Sequence, residues 1–279
     1  MQGHSCSSRP PQRRKRKLQQ DVEDPIHFLV FFSLFRYNDF YYFLQNLKKL
    51  EGNFHMKIIA INGSPRRSGN TSAMLQKALE GAAAAGAETE IINLYSLTYK
   101  GCISCFYCKR KDKKHGTCIV KDDLAPVLER VKAADAVIFG SPIYFMNLTA
   151  QMQAFLERFF FSQYIYSREI PSVLGKKMPC AFLYTMNATE EQMEQFHLKE
   201  SLAAYEWAAA NVLGVEPYRF YDCNTLQFSD YSRYESSIFS EQDKRDYHAK
   251  YGKEMEEKAC QLGRQLIQDA QENISHKGM

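Results

Sequence analysis

Long apolar runs, a charge excess in the body of the chain and the common nucleotide-binding fingerprints are all missing from this 279-residue sequence. The aromatic-rich run 26–35 (IHFLVFFSLF) is too short to span a bilayer as a helix. It also fails as a secretory signal, because Asp21, Glu23 and Asp24 separate it from the basic run 13–17 and no small-residue cleavage site follows. Residues 1–55 carry nine Lys/Arg against five Asp/Glu, and the rest of the chain carries 27 of each, so the whole net charge of +4 sits in the first segment. A neutral body gives no footing for nucleic acid or an anionic membrane. No G-x-x-x-x-G-K-[ST] occurs, which excludes a Walker A loop, and no G-x-G-x-x-G occurs, which argues against a dinucleotide-binding turn. Cysteine is thin outside one cluster: Cys6, Cys180, Cys223 and Cys260 are scattered and read as structural. A disulfide framework is therefore not expected, and a cytoplasmic location is. Nothing repeats internally.

What is present begins at Lys57. Ile58, Ile59, Ala60 and Ile61 form a continuous apolar run, the pattern of a strand buried on both faces. Asn62, Gly63, Ser64, Pro65, Arg66, Arg67, Ser68, Gly69 and Asn70 follow as a turn, and an apolar-periodic helix opens at once. Such a turn gathers backbone N–H groups and hydroxyls beside a helix N-terminus, where unpaired donors and a partial positive charge suit a phosphate. Arg66 and Arg67 can add charge to this nest. The alternative is an ordinary strand-to-helix turn using Gly and Ser for geometry.

Further along, 71 to about 85 reads as a helix and 90–94 (EIINL) as a second strand. Asp122 and Asp123 can cap a helix carrying Leu124, Val127, Leu128 and Val131. A third buried strand, 136–140, runs into the loop 141–147 and then a helix with Met152, Phe155, Leu156 and Phe159 on one face. A fourth strand spans 179–184, and Thr189 with Gln192 forms a capping box for a helix to about 212. A fifth strand lies in 218–223, and a last helix runs from about 241 to 268. Alternating strands and helices predict a parallel, doubly wound α/β sheet with helices on both faces. In such sheets ligands bind at the carboxyl ends of strands, so the turns after Ile61 and Gly140 are expected to face one cleft.

The leader 1–55 is expected either to be disordered and dispensable or to lie upstream of the native start. Leu50-Glu51-Gly52 can be encoded by a purine-rich ribosome-binding stretch just before the Met56 codon. Its basic run could serve as a nuclear signal or RNA-binding arm, or simply be solvated.

In its motifs the chain resembles the flavodoxin-like NAD(P)H-dependent FMN reductases, near the iron–sulfur flavoprotein branch. The likeness rests on N-G-S-P-R-x-x-G-N-T after the first strand, G-C-x-x-C-x-x-C, D-D-L, and G-S-P-I-Y before a Q-M-x-A-F helix. It runs from Met56 to roughly Leu266. The resemblance implies a flavodoxin-like five-stranded sheet in the order 2-1-3-4-5, in a domain spanning 56–279. It implies FMN, with its phosphate held by Ser64, Arg66, Ser68, Asn70, Thr71 and Ser72. Its ring would lie on Pro142, Ile143, Tyr144, Phe145 and Met146, which can stack and offer backbone N–H groups. Tyr184, Thr185 and Met186 would close the same pocket. The flavin carries the reaction, so no catalytic acid or base is nominated. Electrons would pass from NADH or NADPH through FMN to a flavin, quinone, azo or nitro compound, or to a protein. An iron–sulfur flavoprotein acting as a non-enzymatic electron carrier is the alternative.

Cys102, Cys105, Cys108 and Cys118, in the loop 101–118, carry three open readings: a free or redox-active thiol loop, a [4Fe–4S] cluster, or zinc. The gap before Cys118 is longer than the iron–sulfur branch shows and holds five basic residues. The C-terminal part, 216–270, joins an aromatic segment to a helix. That segment suits a subunit interface, a flavin lid or a satellite core, and relatives of this kind imply a homodimer or homotetramer.

Overall fold

The computed structural model describes residues 56–275; the expectations for 1–55 fall outside the described residues. β1 (Lys57–Asn62) is buried from Ile58 onward and lies inside a sheet, with a strand on either side. It pairs in parallel with β2 (Glu88–Asn93) on one side and β3 (Ala136–Tyr144) on the other, with Ile59 opposite both Glu90 and Val137. β5 (Cys180–Thr185) adds to β3, and β6 (Tyr218–Asp222) adds to β5, all in parallel. The order is β2-β1-β3-β5-β6. The two-residue β4 (Asn147–Leu148) folds back antiparallel on the end of β3, so the fourth and fifth parallel strands bear the labels β5 and β6 where 2-1-3-4-5 was expected.

Among the boundaries that differ from expectation, two have a clear physical reason. The third strand does not stop at Gly140. Ser141 and Pro142 pair with Tyr184 and Thr185, and Ile143 and Tyr144 pair with β4, so the apolar loop is recruited into the sheet. The helix expected after Thr189 is two helices, α4 (Glu190–Gln195) and α5 (Leu198–Leu213), broken where His197 takes φ +49°. The capping box itself is formed: Thr189 Oγ1 accepts from Gln192 N at 3.2 Å, and Thr189 N donates to Gln192 Oε1 at 3.0 Å.

Strand alternation divides the core by size. Ile59, Ile61, Val137, Phe139, Phe182 and Tyr184 face a layer made by α2 (Leu124–Ala133), α3 (Ala150–Gln163) and α5. On the other face Ile58, Ala60, Ile138, Ala181 and Leu183 meet α1 (Asn70–Ala84) and α6 (Glu241–Ser275). The second layer is lined by small residues, and α1 and α6 cross almost backbone to backbone. A Cβ added at Gly81 would lie 1.8 Å from the Cys260 carbonyl oxygen, and one at Gly263 would lie 1.8 Å from that of Ala78. Among the described residues no helix is long and apolar enough to cross a membrane.

Candidate functional site

The two turns singled out by the sequence lie side by side at the carboxyl ends of β1 and β3. The Gly63 amide donates to Gly140 O at 2.8 Å, and the Thr149 hydroxyl donates to Gly63 O at 2.7 Å. Gly63 is required by this approach, since a Cβ there would sit 2.9 Å from the Met152 side chain. The first turn is tied internally: Ser64 N donates to Asn62 Oδ1 (3.0 Å) and Arg66 N donates to Ser64 Oγ (3.1 Å).

The helix that follows is left open. Gly69 at the N-cap brings no side-chain cap, and no acidic residue stands in the first turn of α1. The amides of Asn70, Thr71 and Ser72 therefore lack intrahelical acceptors, and the positive end of the helix dipole is uncompensated. The side chains around them are pre-engaged. Arg66 Nη1 donates to Gln227 O at 2.6 Å, Asn70 Nδ2 donates to Leu226 O at 2.9 Å, and the Thr71 and Thr185 hydroxyls share a 2.7 Å bond. Ser68 is exposed, Ser64 and Ser72 are buried, and Arg67 turns outward to Ser96 Oγ at 2.7 Å.

The second turn is strained. Phe145 and Met146, the two residues joining Tyr144 to Asn147, have φ +48° and +65°. Two consecutive positive φ values suit Asn-Gly in a tight hairpin, and cost side-chain-bearing residues about 1–2 kcal/mol each. Strain of this kind is concentrated at functional sites. Phe145 is fully exposed at 102% and Tyr144 is 46% exposed, so two aromatic rings face solvent at the hairpin; Pro142, Ile143 and Met146 are half-buried.

Of the third group, Thr185 meets the start of α1 through the Thr71 hydroxyl, but Tyr184 does not. Period-two alternation sends Tyr184 with Phe182 into the α5 layer, where it is fully buried and donates to Glu206 Oε1 at 3.0 Å. Met186 is also core, 4% exposed. Sequence reasoning missed Tyr95, which follows β2 and feels both Tyr144 and Thr149; burial, with the Tyr144 phenol, pushes its pKa up. It also missed the carbonyls of Leu226 and Gln227, for which a sequence carries no signal. The aromatic segment containing them folds on itself: the Phe228 ring stacks on Tyr234 at 4.1 Å and meets Tyr231 edge-on at 5.1 Å.

At the end of β6, burial raises the half-buried Asp222 carboxyl to about 7. The folded chain then holds a proton there that the unfolded chain releases near pH 4. Stability contributed at this site is therefore full below about pH 4 and is lost as pH rises toward 7. Asp222→Asn is expected to leave the melting temperature unchanged near pH 4 and to raise it at pH 8. Thermal scans at both values check this, and an equal effect at the two would refute it.

The four clustered cysteines line one cavity, with Phe106, Ile119, Arg158 and Phe161 among its other walls. Cys102 and Cys105 are exposed, and Cys108 and Cys118 are half-buried, with burial pushing the Cys108 thiol up. Lys109 fastens this loop to the C-terminus of α3 by donating to the Phe161 and Tyr164 carbonyls. Arg158, 1% exposed, holds the other edge through both oxygens of Asp122 and through Lys100 O and Val120 O. Among the described residues no three His, Cys, Asp or Glu side chains are grouped to hold a metal ion.

The profile of a family described as NADPH-dependent FMN reductase matches residues 56–216. The chain is 41% identical over 103 residues to an iron-sulfur flavoprotein of Methanocaldococcus jannaschii, covering 37% of this chain and 51% of that protein. It is 34% identical over 103 residues to an iron-sulfur flavoprotein of Methanosarcina thermophila, covering 37% and 52%. The chain thus spans about half the length of the curated relatives it matches. Among solved structures, an NAD(P)H:quinone oxidoreductase from Methanothermobacter marburgensis superposes with a TM-score of 0.55 at 19% identity, covering 76% of this chain and 97% of that one. At that identity the likeness shows the fold alone: a doubly wound, flavodoxin-like α/β domain.

Proposed function

The chain belongs to the NADPH-dependent FMN reductase family, and from that membership we propose that it is an FMN-dependent oxidoreductase drawing electrons from NADH or NADPH. Its acceptor would be a small molecule such as a flavin, quinone, azo or nitro compound, or a redox partner protein. The observation that carries this reading is the uncapped N-terminus of α1 beside the strained 144–147 hairpin, the two joined through Gly63, Gly140 and Thr149. An orphaned set of amides with no acidic neighbour fits a phosphate, and exposed aromatic rings on a rigid turn fit a planar ring.

FMN, when bound, supplies two-electron acceptance from a nicotinamide and release to the acceptor. The chain's own residues bind and orient. The amides of Asn70, Thr71 and Ser72, with the hydroxyls of Ser64 and Ser68, would receive the phosphate. Arg66 has further donors beyond the one spent on Gln227 O, and Asn70 a second amide hydrogen. Pro142, Ile143, Tyr144, Phe145 and Met146 would hold the ring, with backbone N–H groups of the hairpin at its polar edge. Titration of the purified chain with FMN is expected to quench flavin fluorescence to an end point of one FMN per chain. The loaded protein is then expected to oxidise NADPH or NADH with a soluble quinone. Absence of saturable binding would sink the proposal.

A second reading, an iron–sulfur flavoprotein carrying electrons between proteins, draws on the names of the relatives and on the four cysteines lining one cavity. Among the described residues those cysteines are not grouped closely enough to hold a metal ion as they stand. The absorption spectrum of anaerobically purified protein separates the two, since a broad brown shoulder beneath the flavin bands would favour the carrier. A cytoplasmic homodimer or homotetramer, acting on neither nucleic acid nor membrane, completes the proposal.

A further inference from the structure

Lys244, in the first turn of α6, is 3% exposed, yet among the described residues no carboxylate pairs with it. Its ammonium donates to Asn187 O at 2.8 Å and Asn224 Oδ1 at 2.7 Å, and lies 5.3 Å over the Phe239 ring. A buried cation answered by neutral acceptors alone is costly, and burial lowers its pKa accordingly. Most of the amino-terminal half of α6 is otherwise solvent-facing, with Lys244 its single buried residue before Ala259. Packing does not account for burying an ammonium at this point.

Its two acceptors identify what it holds. Asn187 belongs to the turn after β5, and Asn224 to the turn after β6, where Asn224 takes φ +54°. The chain from Asn224 onward then runs as a strap to the phosphate turn. Asn224 N donates to Ala188 O at 2.7 Å, and Thr225 donates to Met186 O through both its amide (3.0 Å) and its hydroxyl (3.1 Å). The next two carbonyls, of Leu226 and Gln227, accept from Asn70 and Arg66.

We propose that Lys244 is a positioning residue for the phosphate turn, anchoring the strap 224–227 whose carbonyls set the aim of Arg66 and Asn70 beside the N-terminus of α1. It rests on the flavin reading, because the turn it positions is the proposed phosphate site. Without the ammonium, Asn187 O and Asn224 Oδ1 lose their shared donor. The left-handed turn at Asn224 then loosens, and Arg66 and Asn70 must be ordered afresh when a phosphate arrives.

The test is FMN affinity, read by fluorescence titration of the full chain, in a double-mutant cycle of Lys244→Met with Asn70→Ala. Each single change is expected to weaken FMN binding about tenfold, the scale of one charge-assisted hydrogen bond. The double variant is expected to be weaker than either single one by clearly less than the product of their losses, since Asn70 is one of the two side chains that the strap aims. Losses that multiply, or a Lys244→Met protein that binds as the parent does, would overturn the assignment. Should Lys244→Met fail to fold by circular dichroism, Thr225→Val cuts the same strap without touching α6 and is expected to weaken FMN in the same way. A Thr225→Val protein binding as the parent does would equally overturn it. Failure of the parent chain to bind FMN refutes the flavin reading instead, a distinguishable outcome.

Discussion

Gly263→Ala is expected to lower the melting temperature by roughly 6–12 °C, from a loss of about 3 kcal/mol in a domain of this size. The added methyl would lie 1.8 Å from the Ala78 carbonyl oxygen and 2.7 Å from its carbon, so α1 and α6 must separate. Intrinsic helix propensity pulls the other way, since Ala is better than Gly in a helix by about 1 kcal/mol. The steric term wins because the obstacle is backbone, which cannot rotate aside. Gly252, in the same helix, is the internal control. There the new Cβ meets the movable His248 ring at 3.1 Å, so Gly252→Ala is expected to be neutral or to gain up to about 1 kcal/mol. Thermal unfolding of both variants decides it, and equal shifts would show that the close crossing is not what limits stability.

Ser68→Asp is expected to weaken FMN binding by at least about 100-fold while leaving the fold intact. Ser68 is exposed and precedes the uncapped Gly69, so a carboxylate fits there without clash. It would satisfy the open amides of α1 that a phosphate would otherwise take, and would repel that phosphate. Two charges about 4 Å apart near a protein surface interact by about 4 kcal/mol, enough for the loss expected. The same carboxylate favours the helix dipole, so the ligand-free protein is expected to melt at the same temperature or slightly higher. A variant that loses both FMN and stability would point to a damaged turn rather than a competed anion site. Fluorescence titration and thermal scans, run together, separate these outcomes.

Legibility in the sequence followed the reach of the interactions. Ile58 to Ile61 announced a central strand because burial on both faces leaves an unbroken apolar run. Thr189 and Gln192 announced their capping box because both partners lie within four residues. The hairpin at Phe145 and Met146 was illegible, since turn chemistry asks for Asn or Gly and the backbone was set instead by pairing with Leu148 and β5. The resemblance places Tyr184 at the pocket as the end of the fourth strand, and the pleat of β5 sends it into the α5 layer instead. Cys102, Cys105, Cys108 and Cys118 were legible as one group and do share a cavity, but spacing could not say whether they converge. Nothing in the sequence sets Lys244 apart from the other lysines of its charged helix. Its burial depends on two turns more than 19 and 56 residues away in the chain, as the separations of 20 and 57 in its hydrogen bonds show.

The size division between the two faces of the sheet reaches beyond packing. The stretch matching the family ends at residue 216, whereas the rod that covers the small-residue face opens at Glu241. Cut at 216, the domain would lose β6 as well, baring Ala78, Gly81 and Ala82 on α1 together with Leu183 beneath them. The apolar face of α1 and the sheet is thus covered by a helix that lies beyond the stretch matching the family.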